Sequence, residues 1–283
     1  MSRSVPYDAT RRALYTPCAE GISLQALATA SEALLCAELA RFVYCRFEID
    51  DDIKQHMRDE LRGIGFTDVD FFNGSGLQAL LAFDPAKQLA VLSFRGTQPD
   101  DVKDLLADAN ALQVTWAGAG SVHKGFAAML ASEWNALHAA LARRAGARLL
   151  YTGHSLGAAL ATLSAALHQP NAMVTFGSPR VGDGTFADAL TGFSHQRYVD
   201  CADIVCKIPP EQWAYEHVGT RHYIDRDGML RSGFSDADIH ADQSRASWTY
   251  PFQYGWRVLT HVAARGFADH APINYVYALR AST

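Results

Sequence analysis

Residues Gly153-His154-Ser155-Leu156-Gly157 place a serine between two glycines, the G-x-S-x-G pattern of a nucleophilic serine held on a sharp turn. An apolar run at residues 148–152 predicts a buried strand before this serine. The alanine- and leucine-rich run after it predicts a helix to about Leu167. A strand, a turn and a helix in immediate succession expose the serine hydroxyl. We therefore favour a nucleophilic serine over the alternative, a structural turn without a catalytic role.

A serine hydroxyl needs a neighbouring base, and a third group must orient that base. In one known chain order the carboxylate and then the histidine follow the serine. Two carboxylates, Asp200 and Asp203, lie at the end of a strand predicted at residues 195–200. Five histidines follow that strand: His217, His222, His240, His261 and His270. Spacing alone does not choose among them, and most histidines in a fold are structural.

A serine that attacks a carbonyl group also needs two backbone N–H groups that face the oxygen on which negative charge develops. One is expected from Leu156, the residue directly after the serine. The other is expected from residues 93–101, where Gly96 ends an apolar strand and Thr97 presents its N–H and its hydroxyl.

The elements that must position these residues alternate between helices and buried strands. Helices are predicted over about residues 23–47, 51–62, 124–144, 158–167 and 272–280. Strands are predicted at residues 76–84, 89–96, 148–152, 171–179 and 195–200, with a hairpin at 221–232 that turns at Asp227-Gly228. This alternation predicts an α/β fold with a mainly parallel sheet covered on both faces.

Length and composition exclude several classes of protein. A chain of 283 residues with a net charge of −5 has room for a sizeable core, and it has no basic run or zinc-finger spacing that would indicate nucleic-acid binding. No metal-ligand spacing such as H-E-x-x-H occurs, so we expect no metal and no cofactor. No run of eighteen apolar residues occurs, so no transmembrane segment is expected.

The N-terminus and the cysteines bear on the compartment. The N-terminal residues lack the apolar region of a signal peptide, so the default expectation is a cytoplasmic protein, or a secreted one if a leader was removed or another export route is used. The cysteines are odd in number, five, and lack C-x-x-C spacing. They are therefore predicted to be small buried apolar residues rather than a disulfide framework or a zinc site.

Six motifs in chain order resemble those of the lipase class 3 family, the fungal-type triacylglycerol lipases and their bacterial and plant relatives. Together they cover about residues 76–277. The motifs are residues 94–97 (FRGT), 122–126 (VHKGF), 153–161 (GHSLGAALA), 175–183 (TFGSPRVGD), 203–205 (DIV) ahead of 208–210 (IPP), and 269–270 (DH) five residues before Tyr275.

The resemblance implies an α/β-hydrolase fold and assigns roles to individual residues. Ser155 is implied as the nucleophile, His270 as the general base and Asp203 as the carboxylate that orients it. Thr97 and Leu156 are implied as the oxyanion hole. We expect one domain over residues 1–283, with residues 76–283 as the catalytic core and residues 1–75 as a helical extension packed on it.

The expected activity is that of a serine carboxylic-ester hydrolase that acts on lipid esters through an acyl-enzyme, with triacylglycerol as the leading substrate. A phospholipase, or an esterase for short-chain or aromatic acids, would use the same triad. A non-catalytic binding protein with this fold is the third alternative. The expected partners are an ester substrate and a transient lipid interface; the oligomeric state stays open.

The segment after Thr97 departs from the family pattern. These lipases often carry a short amphipathic lid with a tryptophan, whereas this segment is acidic and has leucines near that position. It is a candidate lid with Val102, Leu105 and Leu106 on its apolar face, or else a surface helix over the sheet edge. A second segment, residues 247–259 (SWTYPFQYGWRVL), is rich in aromatic residues and is interpreted as core, acyl pocket or lipid-facing patch.

Overall fold

The computed structural model describes residues 5–18, 24–27, 30–97, 112–116, 118–255, 257 and 260–282. Its strands are β1 (Asp68–Gly74), β2 (Leu77–Asp84), β3 (Leu89–Phe94), β4 (Gln113–Thr115), β5 (Ser121–His123), β6 (Arg148–His154), β7 (Ala172–Phe176), β8 (Ser194–Asp200), β9 (Thr220–Ile224) and β10 (Leu230–Arg231). Its α-helices are α1 (Arg11–Tyr15), α2 (Glu32–Phe42), α3 (Asp51–Gly63), α4 (Lys124–Ala142), α5 (Leu156–Leu167), α6 (Gly184–Ala189), α7 (Asp236–Tyr254), α8 (Arg265–Ala268) and α9 (Pro272–Arg280).

The predicted mainly parallel sheet is confirmed. Eight of the described strands form one sheet in the order β1-β2-β3-β6-β7-β8-β9-β10. The run from β3 through β6, β7 and β8 to β9 is parallel, and β1, β2 and β10 join it in antiparallel pairs. The carboxyl ends of the parallel strands therefore meet at one edge, where α/β folds place their sites.

Helices cover both faces of this sheet. Leu150 of β6 packs in a core with α2 and α9, whereas its neighbour Tyr151 packs in a second core with α4 and α5. Successive side chains of a strand point to opposite faces, so a strand buried on both faces is apolar throughout. This explains why the central strands are continuous apolar runs in the sequence.

The N-terminal part of the chain contains a strand that was not predicted. β1 lies before Gly76, where only helices were expected, and it pairs with β2 from Asp68↔Phe83 to Gly74↔Leu77. Two aspartates in this short stretch hide the strand pattern, and the long pairing with β2 stabilises it. Because α2 also packs on β6 and β7, the fold favours our proposal of one domain over residues 1–283.

The expectation for the cysteines is wrong for two of the five. Cys18 and Cys45, which are 27 positions apart in sequence, form a disulfide with Cα atoms 5.5 Å apart. Cys36, Cys201 and Cys206 are buried thiols, as predicted. An odd number of cysteines means that not all of them can pair, but it allows a single disulfide. Cys18 precedes α2 and Cys45 follows it, and the fold brings the two residues together.

The aromatic-rich segment belongs largely to α7, a helix that was not predicted. α7 begins with a capping box in which Ser235 and Asp238 exchange hydrogen bonds, and it includes Pro251. Tyr250 is core, whereas Trp248 and Phe252 are 76% and 85% exposed. The core interpretation thus holds for only part of the segment. Among the described helices, none has the length and hydropathy needed to cross a bilayer.

Candidate active site

Ser155 lies on the turn between β6 and α5, in the backbone conformation φ 59°, ψ −128°. Non-glycine residues rarely adopt this conformation, and its strain is typical of functional turns. The two glycines of the motif permit the turn because they allow close backbone approach. A Cβ at Gly153 would lie 2.3 Å from the carbonyl carbon and oxygen of Gly157, and a Cβ at Gly157 would lie 2.2 Å from the Phe94 carbonyl oxygen.

His270 joins Ser155 to Asp203 in one chain of hydrogen bonds. His270 Nε2 lies 2.9 Å from Ser155 Oγ, and His270 Nδ1 lies 2.9 Å from Asp203 Oδ2. An ionised carboxylate only accepts hydrogen bonds, so Nδ1 carries the proton and the Nε2 lone pair faces the serine hydroxyl. The three residues come from the β6–α5 turn, the loop after β8 and the loop between α8 and α9. All three are at most 1% exposed.

Tyr275 and the backbone hold the carboxylate of Asp203 in place. The Tyr275 hydroxyl donates to Asp203 Oδ2 at 2.5 Å and accepts from the Asp200 N–H at 3.1 Å, while the Val205 N–H donates to Asp203 Oδ1 at 2.9 Å. Burial raises the pKa of Asp203, but the charge of His270 and the hydrogen bonds from His270 and Tyr275 outweigh it, so the pKa is lowered overall. Asp203 is therefore ionised at neutral pH.

His154, inside the pentapeptide, supports the backbone of His270. Its Nε2 lies 2.7 Å from the His270 carbonyl oxygen and its Nδ1 lies 2.8 Å from the Tyr44 hydroxyl. Burial, and then the charge of His270, lower the pKa of His154 well below its ordinary value. His154 is thus a neutral imidazole that donates from Nε2 and accepts from Tyr44.

Asp269, the aspartate of the motif at residues 269–270, is a buried carboxylate to which sequence reasoning gave no role. Its Oδ1 accepts from the Tyr7 hydroxyl at 2.7 Å. Its Oδ2 accepts from Arg265 Nε at 2.7 Å and from the Ala202 N–H at 3.0 Å. Asp269 directly precedes His270, and Ala202 directly precedes Asp203. The hydrogen bond from the Ala202 N–H to Asp269 therefore connects the loop that carries Asp203 to the loop that carries His270.

The other candidates from the sequence form different contacts. Asp200 ends β8, and its backbone N–H bonds to Tyr275. His217 Nε2 lies 2.8 Å from the Cys206 carbonyl oxygen, and His222 stacks on Tyr198. His240 and His261 are exposed.

The two expected oxyanion donors belong to chain segments that meet at Ser155. Leu156 is the first residue of α5, where a backbone N–H has no acceptor within the helix. Gly96 lies so close to the turn at Ser155 that a Cβ on Gly96 would be 3.1 Å from Ser155 Cβ, and Thr97 follows Gly96 directly. Thr97 Oγ1 is buried without a hydrogen-bond partner among the described residues. The candidate lid residues Val102, Leu105 and Leu106 lie outside the described residues.

Comparison with known proteins agrees with this geometry. The family model described as lipase (class 3) matches residues 91–213. The structure of the Rhizomucor miehei triacylglyceride lipase aligns with a TM-score of 0.55 at 25% identity, covering 68% of this chain and 78% of that one. The α/β-hydrolase fold expected from the sequence is confirmed.

Two relatives match more of the sequence than the family model does. The secreted mono- and diacylglycerol lipase 1 of Fusarium solani is 33% identical over 178 residues, which cover 58% of this chain and 52% of that protein. A triacylglycerol lipase of Ricinus communis is 24% identical over 345 positions, covering 87% of this chain and 64% of that protein. The chain thus spans less than two thirds of the length of either relative.

The default expectation of a cytoplasmic location is contradicted by these comparisons. The Fusarium relative is named as a secreted enzyme, and the Cys18–Cys45 disulfide is of a kind that persists in oxidising compartments. The absence of an apolar N-terminal run was a poor guide, because it says nothing of other export routes. The matched residues and the shared fold together show that this chain is similar to the lipase (class 3) family.

Proposed function

We propose that this protein is a serine carboxylic-ester hydrolase that acts on lipid esters, with acylglycerols as its substrates. The observation that carries the proposal is the continuous hydrogen-bonded chain from Ser155 Oγ through His270 to Asp203. The names of two relatives, a mono- and diacylglycerol lipase and a triacylglycerol lipase, support the substrate class.

The proposed reaction follows from the roles of these atoms. Ser155 Oγ attacks the ester carbonyl while His270 Nε2 takes the hydroxyl proton. The N–H groups of Leu156 and Thr97 donate to the carbonyl oxygen as it becomes negative. His270 then gives the proton to the departing alcohol, which leaves an acyl group on Ser155. Water, deprotonated by His270, releases the acid and restores the serine.

The surroundings of the triad support this sequence of steps. Asp203 stays ionised throughout and stabilises the imidazolium that forms on His270. Its lowered pKa, with the donors Tyr275 and Val205 on its oxygens, keeps it a carboxylate while the base is charged. Ser155 is fully buried, and we propose that the site opens to admit an ester. We propose Val102, Leu105 and Leu106 as the lid from the sequence alone.

Export from the cytoplasm is part of the proposal. The disulfide and the secreted Fusarium relative support it.

The test is hydrolysis of p-nitrophenyl butyrate, p-nitrophenyl palmitate and emulsified mono-, di- and triacylglycerols by the wild type and Ser155→Ala. We expect both p-nitrophenyl esters and the acylglycerols to be cleaved by the wild type and none by the variant. Cleavage of butyrate alone would favour a short-chain esterase, and cleavage of phosphatidylcholine in preference to acylglycerols would favour a phospholipase. No cleavage of any ester would leave the binding-protein alternative.

A further inference from the structure

The C-terminal half of α7 carries an exposed face that the proposed reaction does not use. Four residues of α7 at helical spacing are buried and show which side of the helix faces the protein: Ile239, Asp242, Ala246 and Tyr250. Arg245, Trp248 and Phe252 lie on the opposite side at the spacing i, i+3, i+7 and are exposed. We call these three residues, with the exposed Arg257 after the helix, the α7 face.

Two large aromatic side chains one turn apart are an unusual surface for a soluble protein. Trp248 is 76% exposed and Phe252 is 85% exposed. A single exposed apolar residue is ordinary, but adjacent ones mark a surface that another apolar phase covers. Tryptophan in particular is enriched where an apolar medium meets water, since its ring is apolar and its N–H is polar.

The charge around the aromatic pair has a definite sign. In a chain with a net charge of −5, residues 243–266 contain no aspartate or glutamate and three arginines. Arg265 is engaged by buried Asp269, which leaves Arg245 and Arg257 as the surface cations. The acidic residues of α7 lie in its N-terminal half, at Asp236, Asp238 and Asp242. Aromatic residues interleaved with cations match an anionic lipid surface, which offers both an apolar layer and negative headgroups.

α7 is fixed to the loops that carry the triad. Gln243 Nε2 donates to the Cys201 carbonyl at 2.8 Å, and Ala246 packs on Cys201 and Ala202, next to Asp203. The Tyr250 hydroxyl donates to the Ala263 carbonyl at 2.8 Å in a cluster with Ala268, two residues before His270. A lipid surface that binds the α7 face is therefore held beside the catalytic edge of the sheet.

We propose that the α7 face docks this protein on anionic lipid bilayers, with Trp248 and Phe252 at the interface and Arg245 and Arg257 against the headgroups. The purpose of this docking rests on the proposed function, but its test does not, because binding is measured without turnover. This contact with lipid is distinct from the candidate lid, because it lies in another part of the sequence and carries positive rather than negative charge.

The experiment is co-sedimentation of the full chain with large vesicles of phosphatidylcholine alone or mixed equally with phosphatidylglycerol. We compare the wild type with Trp248→Ser/Phe252→Ser and with Arg245→Gln/Arg257→Gln. The matched controls are Ile49→Ser, which removes an apolar side chain 61% exposed elsewhere, and Lys124→Gln, which removes an exposed cation from α4. Cleavage of p-nitrophenyl butyrate in solution and the thermal midpoint check that each variant is folded.

We expect the wild type to prefer the anionic vesicles. Loss of the two aromatic rings lowers the partition coefficient about tenfold or more on both vesicle types. Loss of the two arginines lowers it about fivefold for each on anionic vesicles only. The controls stay within about twofold of the wild type.

Equal binding by the wild type and the aromatic variant would overturn the proposal, as would equal binding of the wild type to neutral and anionic vesicles. A dimer in sedimentation velocity that the aromatic variant abolishes, without vesicle binding by the wild type, would assign the face to a second copy of this chain and also overturn it. Vesicle binding without hydrolysis of any ester would leave this inference standing while the proposed function failed.

Discussion

Gly177 lies where Asp203 and His270 meet, and it allows their hydrogen bond to form. Its backbone has φ +56°, and a Cβ at this position would lie 2.8 Å from Asp203 Oδ2 and 2.9 Å from His270 Nδ1. Both distances are shorter than real Cβ contacts. Asp203 has little freedom to retreat because Tyr275 and the Val205 N–H hold both of its oxygens. The methyl group of Gly177→Ala must therefore separate Asp203 from His270.

The size of the effect follows from two costs. An alanine in the left-handed region costs about 1–2 kcal/mol, and loss of a hydrogen bond to a charged group costs about 1.5–3 kcal/mol. We expect Gly177→Ala to lower the free energy of unfolding by about 3–5 kcal/mol. We expect kcat to fall by at least about 10²-fold, with the ~10⁴-fold loss that follows removal of the orienting aspartate in serine proteases as the upper limit.

The assay is kcat/KM for p-nitrophenyl butyrate at a temperature where circular dichroism shows the variant folded. Gly233→Ala is the matched control, since Gly233 has φ +76° and no atom lies within 4 Å of a Cβ there. Gly233→Ala has only the conformational cost of an alanine at positive φ, so it is expected to keep the wild-type kcat. A folded Gly177→Ala with wild-type kcat would refute the geometric reasoning.

Three further predictions concern the contacts around the triad. Asp269→Asn leaves Arg265 buried without a counter-charge, so it should lower the free energy of unfolding by about 3–5 kcal/mol and lower kcat more than it changes KM; an unchanged thermal midpoint in calorimetry would contradict the linking role. Cys18→Ser/Cys45→Ser removes a bridge across 27 positions and should lower the free energy of unfolding by about 3–4 kcal/mol, measured by urea denaturation; reductant should destabilise the wild type similarly and leave the variant unchanged. The pKa of Asp203 is lowered in the folded protein, so the stability that this carboxylate contributes is present above the ordinary aspartate pKa and is lost as pH falls through the lowered value. The free energy of unfolding of Asp203→Asn should therefore depend less on pH below about pH 4 than that of the wild type. Identical acid unfolding of the variant and the wild type would contradict this assignment.

Local patterns were enough to predict the turn at Ser155 and the strand and helix on either side of it. The apolar run before Ser155 and the alanine-rich run after it became β6 and α5, since their residue types favour a buried strand and a close-packed helix. The choice of Asp203 and His270 came from motif order, because spacing left Asp200 and four other histidines open. The structure joins the chosen pair to Ser155 by hydrogen bonds.

The supports of the triad were beyond sequence reasoning because they join distant parts of the chain. The bond between Tyr7 and Asp269 spans 262 positions, and that between Tyr44 and His154 spans 110. A tyrosine hydroxyl carries no sequence signal for its partner. Helix α7 was missed for another reason, since Pro251 and its many aromatic residues are atypical of a helix.

The most direct test of the central claim is covalent labelling of the serine. The wild type and the variants Ser155→Ala and His270→Ala are treated with diethyl p-nitrophenyl phosphate, and the labelled residue is mapped by peptide mass spectrometry. If the hydrogen bonds to His270 and Asp203 activate Ser155, the wild type forms one adduct, on Ser155. Ser155→Ala then forms none, and His270→Ala reacts much more slowly. An adduct on another residue that abolishes ester hydrolysis, or equal labelling of Ser155 with and without His270, would contradict the account.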